Sequence, residues 1–450
     1  MKETGERKYG LMMSIAMVVG IVVGSGIFFK ADDILIQTDG NVAIGCLVLV
    51  IGAFGIIFGG ITISEWAKIT DDAGGLISYA EKSFGDKFAF ILGWFQGIVY
   101  YPGLTAVVCF VGANYTLSLF PQLAFGEYGV WILSLIYLLL LYIMNIFSAR
   151  LSGYFQTSSM FIKLIPLFLI AILGIIFGNP EAASGNEMNL PTIMASSGAI
   201  VSVAFSYDGW SIAPSICHEI KNAKRNLSLA LVISPILILI VYVSYFLGIS
   251  FLIGPDKIIE TGDLAFSMAA NQLFGPWGEK LLLLMVIISV LGTANGLSLG
   301  GTRVPYALAL RNDIPYSDKV AKIHPKYKIS VPSSMISLGF TIFWLGIHFL
   351  SIYAPGLKDA GIDISSIPIV IMYIFYVVLY AGIMIRTKKG LIKSKITGIL
   401  CPILAIIGAL TILYGGLTAS NSAIYIIVSL IILVSGIIFY RYARPKQSNS

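Results

Sequence analysis

An apolar run from Leu11 to about Leu35 opens the chain, and eleven more of near-spanning length follow it. A bilayer core takes about 20 helical residues to cross. The runs fall at 11–36, 41–67, about 88–119, 127–148, 153–178 and about 192–217. They continue at about 227–253, about 279–310, 331–353, 364–386, 395–417 and 421–441. Only 12% of the 450 residues are charged and 57% are hydrophobic, whereas soluble domains carry about a quarter charged residues. The expected fold is an all-α polytopic membrane protein of 12 transmembrane helices with no soluble domain. In such a chain the net charge of +6 bears on orientation and gives no nucleic-acid signal.

Basic residues collect on one side. Lys2, Arg7 and Lys8 precede the first run, and Lys68, Lys82, Lys87, Arg150, Lys221, Lys224 and Arg225 follow in the same set of loops. Arg303, Arg311, Lys319, Lys322, Lys326 and Lys328 lie there too, with Arg386 to Lys395 and Arg441 to Lys446. The opposite loops carry only Lys30, Lys257, Lys280 and Lys358. Both termini, 1–10 and 442–450, are expected in the cytoplasm of a cell (plasma) membrane protein. The first apolar run is too long for a signal-peptide core, so no cleavable leader is expected. Cys46, Cys109, Cys217 and Cys401 stand alone without metal-ligand spacing, so neither a disulfide nor a metal nor another cofactor is expected.

The first run is interrupted at Gly20-Ile-Val-Val-Gly24-Ser25-Gly26-Ile27-Phe28. Glycine is a poor helix former, and here three of them bracket one hydroxyl. A helix opened at membrane depth bares peptide groups that lipid cannot satisfy. Its two half-helices would aim opposite dipole ends at the gap, a setting suited to a zwitterion. The alternative is a small-residue packing face. A second interruption, Ala204-Phe205-Ser206-Tyr207-Asp208-Gly209-Trp210, falls in the sixth run about 180 residues later. Five runs per half force the halves into opposite orientations. The pattern predicts a 5+5 inverted repeat, 11–178 and 192–386, each opening on a broken helix, with 395–441 as two accessory helices. The stretches Thr70–Lys87 and Gly254–Gly278 are expected to hold interfacial structure.

Gly24-Ser25-Gly26-Ile27-Phe28, followed by Phe205-Ser206-Tyr207-Asp208-Gly209-Trp210, resembles the amino acid–polyamine–organocation (APC) superfamily. Within it the chain is similar to the L-type amino acid transporter branch, and especially to its bacterial serine/threonine and alanine/serine/cysteine exchangers. Ile63-Ser64-Glu65, Gly74-Gly75 with Tyr79, Gly93-Trp94, Ile162-Lys163-Leu164-Ile165-Pro166, Gly292 to Gly296 and His324-Pro325 match in order. The resemblance implies that the N–H groups of Ser25 and Gly26, with the Ser25 hydroxyl, hold a substrate carboxylate; Gly24 and Ile27 flank them. It implies that carbonyls of Val22, Phe205, Ser206 and Asp208 hold the ammonium. The Phe205 ring would be an outer gate, and Trp210 would bound the site.

Lys163 lies in mid-run, where charge is rare and costly. It either pairs structurally with Asp208 or Glu65, or faces the carbonyl end of the first half-helix and the eighth run. In cation-coupled relatives sodium sits there, so a fixed ammonium argues for sodium independence. Asp208 reads as a helix-break partner before a substrate ligand or proton carrier. Asn295 joins helices or approaches the site, and Tyr101, with Tyr100 and Pro102, lines the pathway or the core. Glu65 and Arg303 are either an inner gate or solvated rim charges. His218, His324 and His348 receive no chemistry.

The expected function is sodium-independent exchange of small neutral L-amino acids, with serine, threonine and alanine first, by alternating access. Proton-coupled symport is the alternative. A transporter-like sensor lacks room for a signalling module after Tyr440, and no enzyme motif occurs in the runs. Mammalian L-type members bond a partner through a cysteine in the loop after the third span. Ser118 to Glu127 contains none, so no disulfide-linked accessory subunit is expected.

Overall fold

The computed structural model describes residues 9–29, 31–70, 72, 74–123, 126–183, 199–356, 364, 366–418 and 422–443. Ten helices among them are long and apolar enough to cross a bilayer. They correspond to the expected runs except the sixth and the twelfth. The sixth is divided, and 192–198 lie outside the described residues. In the twelfth the helix runs over Ser422–Ala443, with Ile426–Arg441 as its shorter apolar stretch.

The first span is α1 (Leu11–Val22), α2 (Ser25–Phe29) and α3 (Ala31–Gln37). It is followed by α4 (Val42–Ile69), the short helix α5 (Leu76–Phe84), and α6 (Asp86–Phe95) continued by α7 (Tyr101–Leu119). Then come α8 (Gly129–Phe147), α9 (Ala149–Phe177) and α10 (Ala199–Ser206), with a 3₁₀ segment over Trp210–Glu219. The second half continues with α11 (Ala223–Ile253), α12 (Pro255–Thr261), α13 (Ala265–Gly301), α14 (Val304–Ala309) and α15 (Ser317–Val320). It closes with α16 (Val331–Tyr353), α17 (Ser366–Lys388), α18 (Cys401–Thr418) and α19 (Ser422–Ala443). The eighth span begins earlier than its apolar run: α13 already starts at Ala265 and bends at Gly275, whose φ is +67°.

The molecule exposes what a soluble protein hides. Leu140, Phe161, Ile176, Phe177 and Phe343 project outward, as lipid-facing side chains do. Ser152, Gln156, Lys163, Asn295 and Ser298 are buried. The interior is arranged around α1, which packs on α9, α11, α13 and the 3₁₀ segment. Next to it α4 lies along α11, and α7 along α13.

The third span contains a wide π turn, Gln96–Tyr100, between α6 and α7. Its cause is local. Pro102 has no N–H to return to the carbonyl four residues earlier. That carbonyl, on Ile98, instead accepts from Trp344 Nε1 at 2.6 Å.

Candidate functional site

Both interruptions are real breaks. α1 ends at Val22; Val23 departs from helical geometry with ψ of 80°, and α2 restarts at Ser25. The first N–H groups of α2 therefore have no partner within it. α10 ends at Ser206, and Gly209 takes φ of +96° before the 3₁₀ segment. That left-handed conformation suits glycine and explains why the Asp-Gly pair sits at the turn. The breaks lie against each other. A Cβ on Gly26 would stand 2.5 Å from Ser206 Cα, and one on Gly209 would stand 2.5 Å from Ile21 Cγ2.

Lys163, fully buried on α9, donates from Nζ to the Gly20 carbonyl at 2.6 Å. Thr293 Oγ1 on α13 is 3.4 Å from the same nitrogen. The cation thus meets the negative end of α1 in a charge-assisted bond. Of the two placements weighed for it, this is the one at the half-helix and the eighth span. Neither Asp208 nor Glu65 is its partner.

Tyr242, on α11, stands between the breaks. Its Oη is 2.8 Å from the carbonyl oxygens of both Val22 and Ser206. One hydroxyl hydrogen serves one of these acceptors at a time. Sequence reasoning passed over Tyr242, because a tyrosine inside Val-Tyr-Val-Ser-Tyr-Phe reads as core. Asp208 Oδ2 accepts from Tyr100 Oη at 2.8 Å, whereas Oδ1 is buried without a hydrogen-bond partner among the described residues.

A cavity of about 30 Å³ lies at the crossing, lined by Val22, Gly24, Gly26, Asp208, Gly209 and Thr293 with apolar walls from Ile21, Leu104, Val108 and Leu297. That is water-sized, so a larger guest requires the surrounding helices to part. Ile27 is buried beside it without lining it. Trp210 is buried against Tyr376, ring centroids 5.1 Å apart, and also stands outside the lining. Tyr101 lies one layer away, against Gly300 and Gly301. Asn295 bonds Gln156 at 3.0 Å and Ser152 at 3.1 Å, which joins α13 to α9. The Ser25 hydroxyl and the Phe205 ring lie outside the described residues.

Of the two readings weighed for Glu65 and Arg303, solvated rim charges are not what the structure shows, since both are buried, and an inner gate made by joining the two is not either. Glu65 pairs with Lys68 at 2.7 Å, one helical turn along α4. Arg303 instead holds Glu219, with Nε 3.1 Å from Oε1. The chain segment before α1 joins the same place: Tyr9 N–H donates to the Glu219 carbonyl at 3.1 Å, and Lys221 N–H donates to that of Tyr9 at 2.7 Å. Near them Cys217 Sγ donates to the Asp72 carbonyl at 3.1 Å.

Two opened helices crossing within a lipid-facing bundle define an integral membrane carrier. The chain belongs to the amino acid permease family, whose model matches residues 9–433, and it is a transporter rather than an enzyme. It is 27% identical to the serine/threonine exchanger SteT of Bacillus subtilis (strain 168), over 98% of each chain. It is 28% identical to the human large neutral amino acids transporter small subunit 2, over 85% of this chain and 70% of that one. It is 25% identical to the mouse b(0,+)-type amino acid transporter 1, over 97% and 87%.

Proposed function

We propose that the protein is a sodium-independent exchanger of small neutral L-amino acids, with serine, threonine and alanine first, in the plasma membrane with both termini cytoplasmic. The observation that carries the reading is the Lys163 ammonium on the Gly20 carbonyl. A lysine ammonium at the negative end of α1 takes the place a metal cation would need, without an ion to co-transport. The full-length likeness to a serine/threonine exchanger supports the substrate class.

In this reading the N–H groups of Ser25 and Gly26, with the Ser25 hydroxyl, take the carboxylate, flanked by Gly24 and Ile27. Carbonyls of Val22, Phe205, Ser206 and Asp208 take the ammonium, and Tyr242 yields its hold on Val22 and Ser206 as the guest enters. The Phe205 ring closes the outer side, and Trp210 braces the wall. Pairing of α4 with α11, of α7 with α13 and of α1 with the 3₁₀ segment supports two inverted halves, 11–178 and 192–386, with 395–441 accessory and twelve spans in all. One bundle rocks against the other around the site. No disulfide-linked subunit is required.

Uptake of radiolabelled serine into proteoliposomes tests this. Uptake requires a preloaded amino acid inside and is indifferent to sodium. Uptake into empty vesicles driven by an inward proton gradient would replace the proposal with proton-coupled symport.

A further inference from the structure

A second cavity, of about 40 Å³, lies at the end of the 3₁₀ segment, away from the crossing of the breaks; like the first it is close to water-sized, so a larger guest enters only as the surrounding groups part. His218, Glu219, Arg303, Tyr306, Lys328 and Ser330 are among its lining residues. Charges of both signs face it. Arg303 is buried, and its Nη2 lies 3.1 Å from Glu219 Oε1 without hydrogen-bond alignment. Arg303 Nη1 is held by Thr302 Oγ1 at 2.7 Å, which fixes the guanidinium in place. His218 Nδ1 is buried with no hydrogen-bond partner among the described residues, and its Nε2 is 3.7 Å from Glu219. Lys328 is exposed at the mouth.

From this arrangement we propose that the cavity is a second binding site for a free α-amino acid as its zwitterion, on the cytoplasmic side. The substrate class rests on the exchanger reading; the place and the chemistry rest on these residues. Removing one partner of a buried ion pair strands the other at high cost. A zwitterion avoids that penalty because it brings both signs. Its carboxylate takes over Arg303, with Lys328 and His218 Nδ1 as further donors, while its ammonium takes over Glu219. A multivalent anion such as phosphate would satisfy Arg303 and oppose Glu219. Arg303 follows α13 and Glu219 ends the 3₁₀ segment. Splitting the pair therefore frees the inner end of the sixth span from the eighth. An amino acid waiting in the cytoplasm would release the inner closure by exchanging ion-pair partners, which gives obligate exchange a physical basis.

Equilibrium binding of radiolabelled serine to the full chain in nanodiscs is the test. Two sites per chain are expected, a tighter and a weaker. Arg303→Gln removes the weaker one and Lys328→Gln weakens it three- to tenfold, with the tighter one unchanged in both. Lys328 is on the surface, so its variant remains informative should Arg303→Gln fail to fold. Gly26→Ala acts on the tighter site alone. One site in the wild type, or a weaker site indifferent to Lys328→Gln, overturns the proposal and leaves the exchanger reading standing. Complete displacement of the weaker phase by inorganic phosphate overturns the zwitterion assignment. Absence of any serine, threonine or alanine binding in the wild type removes the exchanger reading, and this inference with it.

Discussion

Gly26→Ala is the sharpest perturbation of the crossing. The added Cβ would lie 2.5 Å from Ser206 Cα, whereas ordinary van der Waals contact begins at 3.4 Å, a shortfall of 0.9 Å (3.4 minus 2.5). The atom in the way is backbone, so no rotamer change relieves it. One of the two broken helices must move, and both carry the peptide groups assigned to the substrate. Over-packing of this kind costs about 1–3 kcal/mol. If about 2 kcal/mol of that falls on binding, serine affinity drops roughly 30-fold. The assay is serine binding in nanodiscs, with Gly339→Ala as control, since a Cβ there meets nothing within 4 Å. Binding by Gly26→Ala within threefold of wild type would falsify the view that close backbone approach of the two breaks builds the site.

Lys163→Met removes a charge-assisted bond worth about 1.5–3 kcal/mol; exchange in proteoliposomes is expected to fall at least tenfold. Lys163→Arg does not restore it, because a planar guanidinium is not a point ammonium. Tyr242→Phe takes the shared donor from the Val22 and Ser206 carbonyls, and a shift in serine affinity of about tenfold checks whether that donor tunes the ammonium site. Between α4 and α5, the Lys82 hydrogen bond, and then that of Thr70, holds the Asp72 carboxyl below its ordinary range. Its lowered value makes the pair stabilising above the unfolded carboxylate range and lost as pH falls through the folded value. Because Asp72 is largely exposed, Asp72→Asn costs only about 0.5 kcal/mol at pH 7. In thermal unfolding that difference from wild type begins to shrink below about pH 4 and is gone only once the pH lies below the lowered folded value.

The two breaks were legible because glycine and an intramembrane acid are out of place in a spanning helix, and Lys163 was legible because its charge is. Tyr242 was not, since nothing in a run of Val, Tyr, Ser and Phe says which phenol reaches two carbonyls; only the crossing of α11 with α1 and α10 decides that. From sequence Arg303 reads as a solvated rim charge or as part of a gate with Glu65, whereas it is buried and holds Glu219. Glu65 has a lysine one turn away on its own helix, while Glu219 is brought to Arg303 by a 3₁₀ segment that periodicity does not announce. Gly26 reads from sequence for its N–H; that its missing side chain also permits the close approach of Ser206 shows only in the packing of the two breaks. The early start of α13 at Ala265 was hidden because Gly275-Pro276 reads as a loop, and the chain bends there without leaving the helix for long.

The wide turn at Gln96–Tyr100 holds one residue more than an α-helical turn. The two parts of that span are therefore out of phase by about 100° of rotation. Deleting a single residue there would restore a regular helix of ample length for the bilayer, and it would swing one part of the span around its axis. Tyr100 would then leave the carboxylate of Asp208, and the Ile98 carbonyl would turn from the Trp344 indole. A shortening that conserves every apolar face to first inspection thus unfastens the third span from both the sixth and the ninth.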